Sequence, residues 1–432
     1  LTASSGGTAA AARRWWMLML FSLAIAGNYY AYDSIAPVAD LLRRWACWSQ
    51  DRIGLLNAVV SLPNIVVALA GGLLIDRQGV TRVLLGTAAL CFIGGVLTAM
   101  GSAYPVMVAG RLFFGLGQET LLIALLGGLA RWFPADQMAF AMASFFSLAR
   151  VGSSLADLSP VWAHGLYAWG WQAPLWLAAA LTGVSLLAVC AYAWLDRRAM
   201  AVAYPGGNVP HGTVRDAWVG LKEFDLSFWY ILALNVLFAS AVFPFRSTFA
   251  IAYFQDARGL TLADAGRINS LVFLAAIFVT PLCGMVADRF GHRTLLMAFG
   301  AGLMPLAFLI LGITGWSPWI SAVLMGVSFS IVPAVIWPST VRLVDRRVLG
   351  TALGLVNVLQ NAGLTLANLL IGRINTAWGA GPDNPSGYDG MLAFLGLVSF
   401  LGFLSAALLW QRERGPNGHG LALPGAASHG QE

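Results

Sequence analysis

The sequence predicts an all-α membrane protein: twelve transmembrane helices folded as two pseudo-symmetric six-helix bundles. Three observations predict it. The 432 residues are 59% hydrophobic and only 10% charged, whereas soluble domains carry about 25% charged residues. Apolar runs of the length that crosses a bilayer, roughly 20 residues, recur along the whole chain. Finally, Gly72-Leu-Leu-Ile-Asp76-Arg77-Gln-Gly79-Val-Thr-Arg82 returns 212 residues later as Gly284-Met-Val-Ala-Asp288-Arg289-Phe-Gly291-His-Arg293, each time between two apolar runs.

Taken in order, the first span lies near 15–38 and ends in the polar cluster Asn28, Tyr29, Tyr30, Tyr32 and Asp33. Spans two and three, 52–74 and 82–101, flank the first charged turn. Span four, 105–128, carries Arg111, Gln118 and Glu119, and span five, 137–159, carries Arg150 and Asp157 a heptad apart on one face. Span six, 172–194, closes the first half. Span seven, 226–250, holds Arg246, and spans eight and nine, 264–285 and 294–313, flank the second turn. Span ten, 318–340, contains Trp337 followed by Pro338, a residue that frees a backbone carbonyl and bends a helix. Span eleven, 349–371, answers the charges of the first half with amides, Asn357, Gln360, Asn361 and Asn368. Span twelve is 389–410.

This division gives an N-terminal tail 1–14, a first bundle 15–195, a linker 196–225 around Pro205-Gly-Gly-Asn-Val-Pro210, a second bundle 226–411, and a Gly, Pro and Ala-rich tail 412–432 expected to be disordered. The duplication extends beyond the turns. An offset of 211 pairs Arg150 with Asn361, Gly152 with Gly363, Ala156 with Ala367 and Asp157 with Asn368. An offset near 212 brings Asp33 opposite Arg246.

With twelve spans both termini share a side. Loops on that side hold sixteen basic residues and the opposite loops six, so the termini are expected in the cytoplasm. The net charge of +6 therefore reflects topology and not nucleic-acid binding. The first apolar segment is too long for a cleavable signal peptide and lacks a small-residue cleavage site. Cys47, Cys91, Cys190 and Cys283 are scattered without ligand spacing, which argues against structural disulfides and a metal site; no cofactor is expected. Lys222 is the lone lysine and no glycosylation sequon occurs, features that lean toward a bacterial inner membrane. The five histidines fall in loops, tails or interfacial positions, and no Ser/His/Asp constellation is legible, so an enzyme is not expected.

The turns fit the major facilitator pattern Gly-x-Leu-x-Asp-Arg-x-Gly-Arg-Arg, with Val80 and Thr81 replacing part of its basic tail in the first and Val286 replacing the Leu in the second. Their glycines, Gly72, Gly79, Gly284 and Gly291, permit close helix approach and a tight turn. Asp76 and Asp288, beside Arg77 and Arg289, are placed to latch one conformation of an alternating-access carrier. Two related halves with a site where they meet is the common plan of such carriers. The pattern Arg-x-x-x-Gly-x-Gly follows in span four as Arg111, Gly115 and Gly117.

Charged side chains within spans are costly and are functional candidates by default. Glu119 and Arg150 fall near mid-depth of adjacent spans and suit a zwitterionic ligand, Arg150 clamping a carboxylate bidentately and Glu119 taking an ammonium. Tyr29, Tyr30 and Asp33 share a face of span one. Asp33 and Arg246 are candidates for an external gate. Asp33, Arg111, Glu119 and Asp157 are candidates for proton coupling, and Trp337, Gln360 and Asn361 for cavity walls. A positive cavity of Arg111, Arg150 and Arg246 leaves an organic-anion or nitrate-type carrier as the alternative. The partners expected are a small-molecule substrate and the lipid bilayer, with the protein a monomer.

At Asn28-Tyr-Tyr-Ala-Tyr-Asp33, Gly110-Arg-Leu-Phe-Phe-Gly-Leu-Gly-Gln-Glu119, Ala149-Arg-Val-Gly-Ser153, Ala241-Val-Phe-Pro-Phe245, Ile336-Trp-Pro338 and Gln360-Asn361 the chain resembles the lysosomal dipeptide transporter family, major facilitator superfamily domain-containing protein one, and its bacterial relatives. The resemblance covers nearly all twelve spans. It implies a dipeptide carrier in which Glu119 and Arg150 hold the peptide termini. Two positions depart from the family: Gln118 replaces a Gly, and Arg246 stands where the animal proteins have an apolar residue.

Overall fold

The computed structural model describes residues 4–65, 67, 74–75, 78–101, 103–133, 135–199, 224–313, 315–345, 348–416 and 418–421. Helix is the backbone form that satisfies its own N–H and C=O groups within a single segment, which is what hydrocarbon surroundings require. Among the described residues there is no strand; Gly381 and Asn384 form one isolated bridge in a loop. Nine helices among them are long and apolar enough to cross a membrane. Three expected spans fall outside that set. The second runs into residues outside the described ones, and the first and fifth carry Asn28, Tyr29, Tyr30 and Asp33, and Arg150 and Asp157, whose polarity lowers their mean hydropathy.

The helices are α1 (Ser4–Asp33), α2 (Ile35–Ala46), α3 (Gln50–Ser61), α4 (Val80–Met100), α5 (Tyr104–Trp132), α6 (Ala135–Asp157) and α7 (Gln172–Ala199), followed by α8 (Leu226–Pro244), α9 (Ala250–Arg258), α10 (Leu262–Phe290), α11 (Arg293–Ile313), α12 (Pro318–Leu343), α13 (Leu349–Ala377) and α14 (Asp389–Glu413). A π-helical turn, Phe245–Phe249, joins α8 to α9. Packing divides the chain into two compact units: Leu1–Leu41 with Val59–Val209, and Leu42–Ala58 with Pro210–Glu432.

In the first unit α1 packs on α6 and α7, and α4 on α5 and α7. In the second unit α8 packs on α13 and α14, and α11 on α12 and α14. These are the same pairings six spans apart, so the sequence repeat is also a packing repeat. Glycines make the close contacts. A Cβ at Gly152 of α6 would run into the Ala26 carbonyl of α1, and one at Gly94 of α4 into the backbone of Gly110 and Phe114 in α5. The partner of Gly152 under the repeat, Gly363 of α13, lies against Ser240 and Val236 of α8. Each helix pair approaches closely because one side offers only hydrogen.

Residues 42–58 are joined by packing to the second unit, and a polar network explains why. Arg43 is paired with the buried carboxylate of Asp256 on α9, its Nη2 donating to Oδ1 at 3.1 Å. The Tyr388 hydroxyl donates to Asp256 Oδ2 at 2.6 Å and accepts from Gln50 Nε2 at 2.9 Å. Further along, Asn57 Nδ2 donates to the Ser247 carbonyl at 2.8 Å and to Thr248 Oγ1 at 2.7 Å. The linker falls largely outside the described residues; at its end Asp225 caps α8, accepting from the Ser227 N–H at 2.8 Å. Of the tail 412–432, residues 417 and 422–432 lie outside the described ones, and Leu421 is fully buried.

Replacing Gly152 by Val forces α6 off α1. Overpacking of this kind costs about 1–3 kcal/mol. The expected outcome is a clear drop in melting temperature of the detergent-solubilised protein, whereas Gly86→Ala on α4, where a Cβ meets nothing within 4 Å, leaves it unchanged.

Candidate functional site

The first unit gathers its charges where α1 ends. Helix α1 stops at Asp33 and α2 starts at Ile35, so the last carbonyls of α1 lose their helical donors. Arg111 of α5 supplies them: Nη1 donates to the Ala31 carbonyl and Nη2 to the Tyr32 carbonyl, both at 3.0 Å. The guanidinium lies 5.9 Å from the Tyr32 ring centre and 5.6 Å from that of Phe114, with the buried Asp33 within electrostatic reach. A cation at a helix C-terminus also complements the helix dipole. The span-four pattern is thereby explained as a set. Gly115 abuts the Val60 backbone and Gly117 the Thr87 carbonyl and Cys91, which seats α5 deeply enough for Arg111 to reach α1.

One turn back along α1, the Tyr29 ring lies 5.6 Å from the Arg150 guanidinium of α6. Arg150, Glu119 and Asp33 all act electrostatically on Tyr29, and Glu119 acts on Tyr32 as well. A carboxylate from α5, a guanidinium from α6 and a phenol from α1 are thus brought into one neighbourhood. The close seat of Gly152 on α1, two residues from Arg150, sets the depth at which the guanidinium meets Tyr29. Glu119, Arg150 and Tyr29 are each partly exposed. Tyr30 points elsewhere: its hydroxyl bonds Ser159 and its ring leans on Trp162 at 6.3 Å. Asp157, fully buried at the end of α6, acts on Tyr167.

In the second unit Arg246 sits in the π-helical turn that follows Pro244. Such bulges interrupt a helix and re-aim the side chains they carry. Its guanidinium lies 3.5 Å from the centre of the Phe273 ring, its carbonyl accepts from Asn269 Nδ2 at 3.0 Å, and both residues line a narrow, mainly apolar pocket with Phe254 and Met325. Thr248 donates to Asn368 Oδ1 at 2.8 Å. Gln360 accepts from Asn235 at 2.8 Å, while Asn361 bonds Asn357 one turn earlier on its own helix. Trp337 is 39% exposed beside Pro338 in α12.

Of the two charged turns, Gly72, Asp76 and Arg77 lie outside the described residues. Gly79 and Gly291 occupy matching points with φ of 81° and 71°, a region that glycine enters without penalty. A Cβ at Gly284 would meet nothing within 4 Å among the described residues, so no close approach is seen there. Arg289 lies over the Phe290 ring at 5.6 Å; the Asp288 side chain lies outside the described set. The Arg43–Asp256–Tyr388 network is absent from the sequence-level candidates. Its signal there is faint, since Arg43 reads as a loop charge and Asp256 as the end of a span. Among the described residues no group of three His, Cys, Asp or Glu side chains forms a metal site.

The Major Facilitator Superfamily matches residues 18–368 and 246–426. With the duplicated helix pairing and the repeated turn, this establishes that the chain belongs to the major facilitator superfamily and is a multi-pass membrane transporter. Within it, the chain is 28% identical over 416 residues to the lysosomal dipeptide transporter MFSD1 of Homo sapiens, covering 93% of this chain and 87% of that protein. It is 24% identical over 345 residues to the probable sulfoacetate transporter SauU of Cupriavidus necator, covering 75% and 78%. In fold it is similar to the crystal structure of a bacterial homologue of the human lysosomal transporter Spinster, with a TM-score of 0.71 at 16% identity over 93% of this chain and 97% of that one.

If Arg111 serves chiefly as the cap of α1, its loss is felt in stability. Arg111→Ala takes the side-chain donor from the Tyr32 carbonyl and leaves the Ala31 carbonyl only the Ser34 hydroxyl, 2.8 Å away, at a cost of about 1–3 kcal/mol, and Arg111→Lys recovers only part because an ammonium lacks the planar fork. Melting of the purified variants checks this, with Arg150→Ala expected to stay near the parent value.

Proposed function

We propose that the chain is an alternating-access carrier for dipeptides or related zwitterionic amino-acid compounds, with Glu119 binding the amino end and Arg150 the carboxylate. The observation that carries this reading is the Arg150 guanidinium 5.6 Å from the Tyr29 ring, with the Glu119 carboxylate in electrostatic range of the same phenol. Opposite charges inside an apolar bundle are expensive to desolvate, and a ligand bearing both charges offsets that cost at both groups together. Arg150 suits a carboxylate because its planar donors match the two oxygens, and Glu119 suits an ammonium because it only accepts. The phenol of Tyr29 supplies an apolar face with a polar tip between them. Peptide termini are common to all dipeptides, so recognition through them tolerates varied side chains. Similarity to a dipeptide transporter across 93% of the chain supports the same class.

In this reading Arg111, engaged with the end of α1, shapes the site without touching substrate. Asp33 beside it and Asp157 are the carboxylates available for proton coupling. The distribution of basic residues supports cytoplasmic termini in a bacterial inner membrane, and we take the working unit to be a monomer. The second reading, an organic-anion carrier, is favoured by Arg246 in its pocket and by the similarity to a probable sulfoacetate transporter.

Thermal-shift measurements separate the two, because ligands that bind the native state raise its melting temperature, by about 2.7 kcal/mol of stability at a hundredfold excess over Kd. The expected result is stabilisation by simple dipeptides that disappears in both Glu119→Gln and Arg150→Ala. Stabilisation by sulfoacetate alone, unaffected by Glu119→Gln, would overturn the dipeptide reading in favour of the anion carrier.

A further inference from the structure

The last transmembrane helix does not end the fold. After α14 the chain turns back through hydrogen bonds from Gly415 N–H to the Arg412 carbonyl at 3.0 Å and from Gly418 N–H to the Gly415 carbonyl at 3.2 Å. A side chain at Gly418 would run into the Glu413 carbonyl, and Gly420 adopts a φ of 75°. Both glycines are used. The returning segment brings in Leu421, fully buried, whose carbonyl accepts from the Arg293 N–H at 3.4 Å. Arg293 is the last residue of the second charged turn and the first of α11.

At the centre of this return lies His419. Its backbone N–H donates to Glu413 Oε2 at 2.8 Å. Its Nδ1 lies 3.0 Å from Glu413 Oε1, and its Nε2 lies 3.6 Å from Asp225 Oδ2. Ionised carboxylates only accept hydrogen bonds, and imidazole presents an N–H on both ring nitrogens only when it is cationic. The remaining charges nearby are Arg412, which holds Asp225 Oδ1 at 2.8 Å, Arg293 beyond Leu421, and Arg414, stacked 4.0 Å over Trp410. The Asp225 carboxyl is opposed by burial, yet hydrogen bonds from the Ser227 N–H and Arg412 hold it below the usual carboxylate range. A depressed carboxylate loses its contribution only as pH falls through that low value, so Asp225 stays charged across the neutral range. Imidazole is the side chain that changes charge there, and the His419 ring is 34% exposed.

We propose that the tail is a proton-operated strap: His419, when cationic, clamps residues 418–421 between Glu413 and Asp225 and so ties together the adjacent ends of α8, α11 and α14 at the second charged turn. Loss of the proton removes one N–H from the pair of carboxylates and releases the strap. The device belongs to the second unit alone and holds whatever the carrier transports.

Hydrogen exchange of the backbone amides of 418–421, read by mass spectrometry on the full chain in nanodiscs and corrected for intrinsic rates, tests it. Protection is expected to be severalfold greater at about pH 6 than at about pH 8, on either side of the range in which imidazole changes charge. In His419→Gln, which keeps a single neutral donor, and in Glu413→Gln, that pH dependence should vanish. Equal protection at both pH values in the parent protein, or a pH dependence that survives in His419→Gln, would overturn the proposal. The melting temperature of each variant at about pH 8 confirms that its fold is intact.

Discussion

A buried arginine on two peptide carbonyls is the interaction around which the first unit is organised. Inside an apolar bundle every polar group has to find its partner within the protein, because no water is present to take its place. Helix α1 violates that condition deliberately by stopping at Asp33, and Arg111 restores it by donating to Ala31 and Tyr32. Once α1 is pinned at that level, its preceding turn is fixed, and with it the ring of Tyr29 that Arg150 and Glu119 both address. The three charged or phenolic groups owe their common location to a break in a helix and the side chain that mends it.

What allows Arg111 to reach the break is the lack of side chain elsewhere. Gly115 and Gly117 let α5 sink against the Val60 backbone and α4, and Gly152 lets α6 sink against Ala26. In lipid there is little hydrophobic drive between helices, so close van der Waals packing has to supply the association. Glycine thereby does two jobs in the same few residues. It holds the bundle together and sets the depth at which the charges meet.

Much of this was legible in the sequence, and the reasons for the exceptions are physical. The repeated turn gave the duplication, and the helix pairings of the two units bear the repeat out, as do Gly152 and Gly363 at equivalent seats. Glu119 and Arg150 stood out because charge in an apolar run is costly, and Tyr29 because it shares a face of span one with Asp33. The target of Arg111 did not, since a peptide carbonyl has no letter in a sequence. Arg43 and Asp256 each looked like loop charges at the end of a span, and only the fold brings together residues 213 positions apart. Composition also says nothing of the backbone bonds that Gly415 and Gly418 make, or of the burial of Leu421 that follows them.

The repeat also shows where the two units part company. Under one offset Gly152 and Gly363 do the same work, seating one helix on another. Two residues earlier Arg150 and Asn361 do not. Arg150 stacks on the tyrosine of a neighbouring helix, whereas Asn361 spends its amide on Asn357 of its own helix. Packing positions tolerate little divergence because a Cβ there has nowhere to go. Positions two residues away carry side chains that meet other side chains, Tyr29 at Arg150 and Asn357 at Asn361, and differ in chemistry between the units. A guanidinium in the first unit and an amide at the equivalent place in the second follow from that difference: glycine seats the helix at a matched depth in each unit, and the side chain two residues away decides which unit bears the charge.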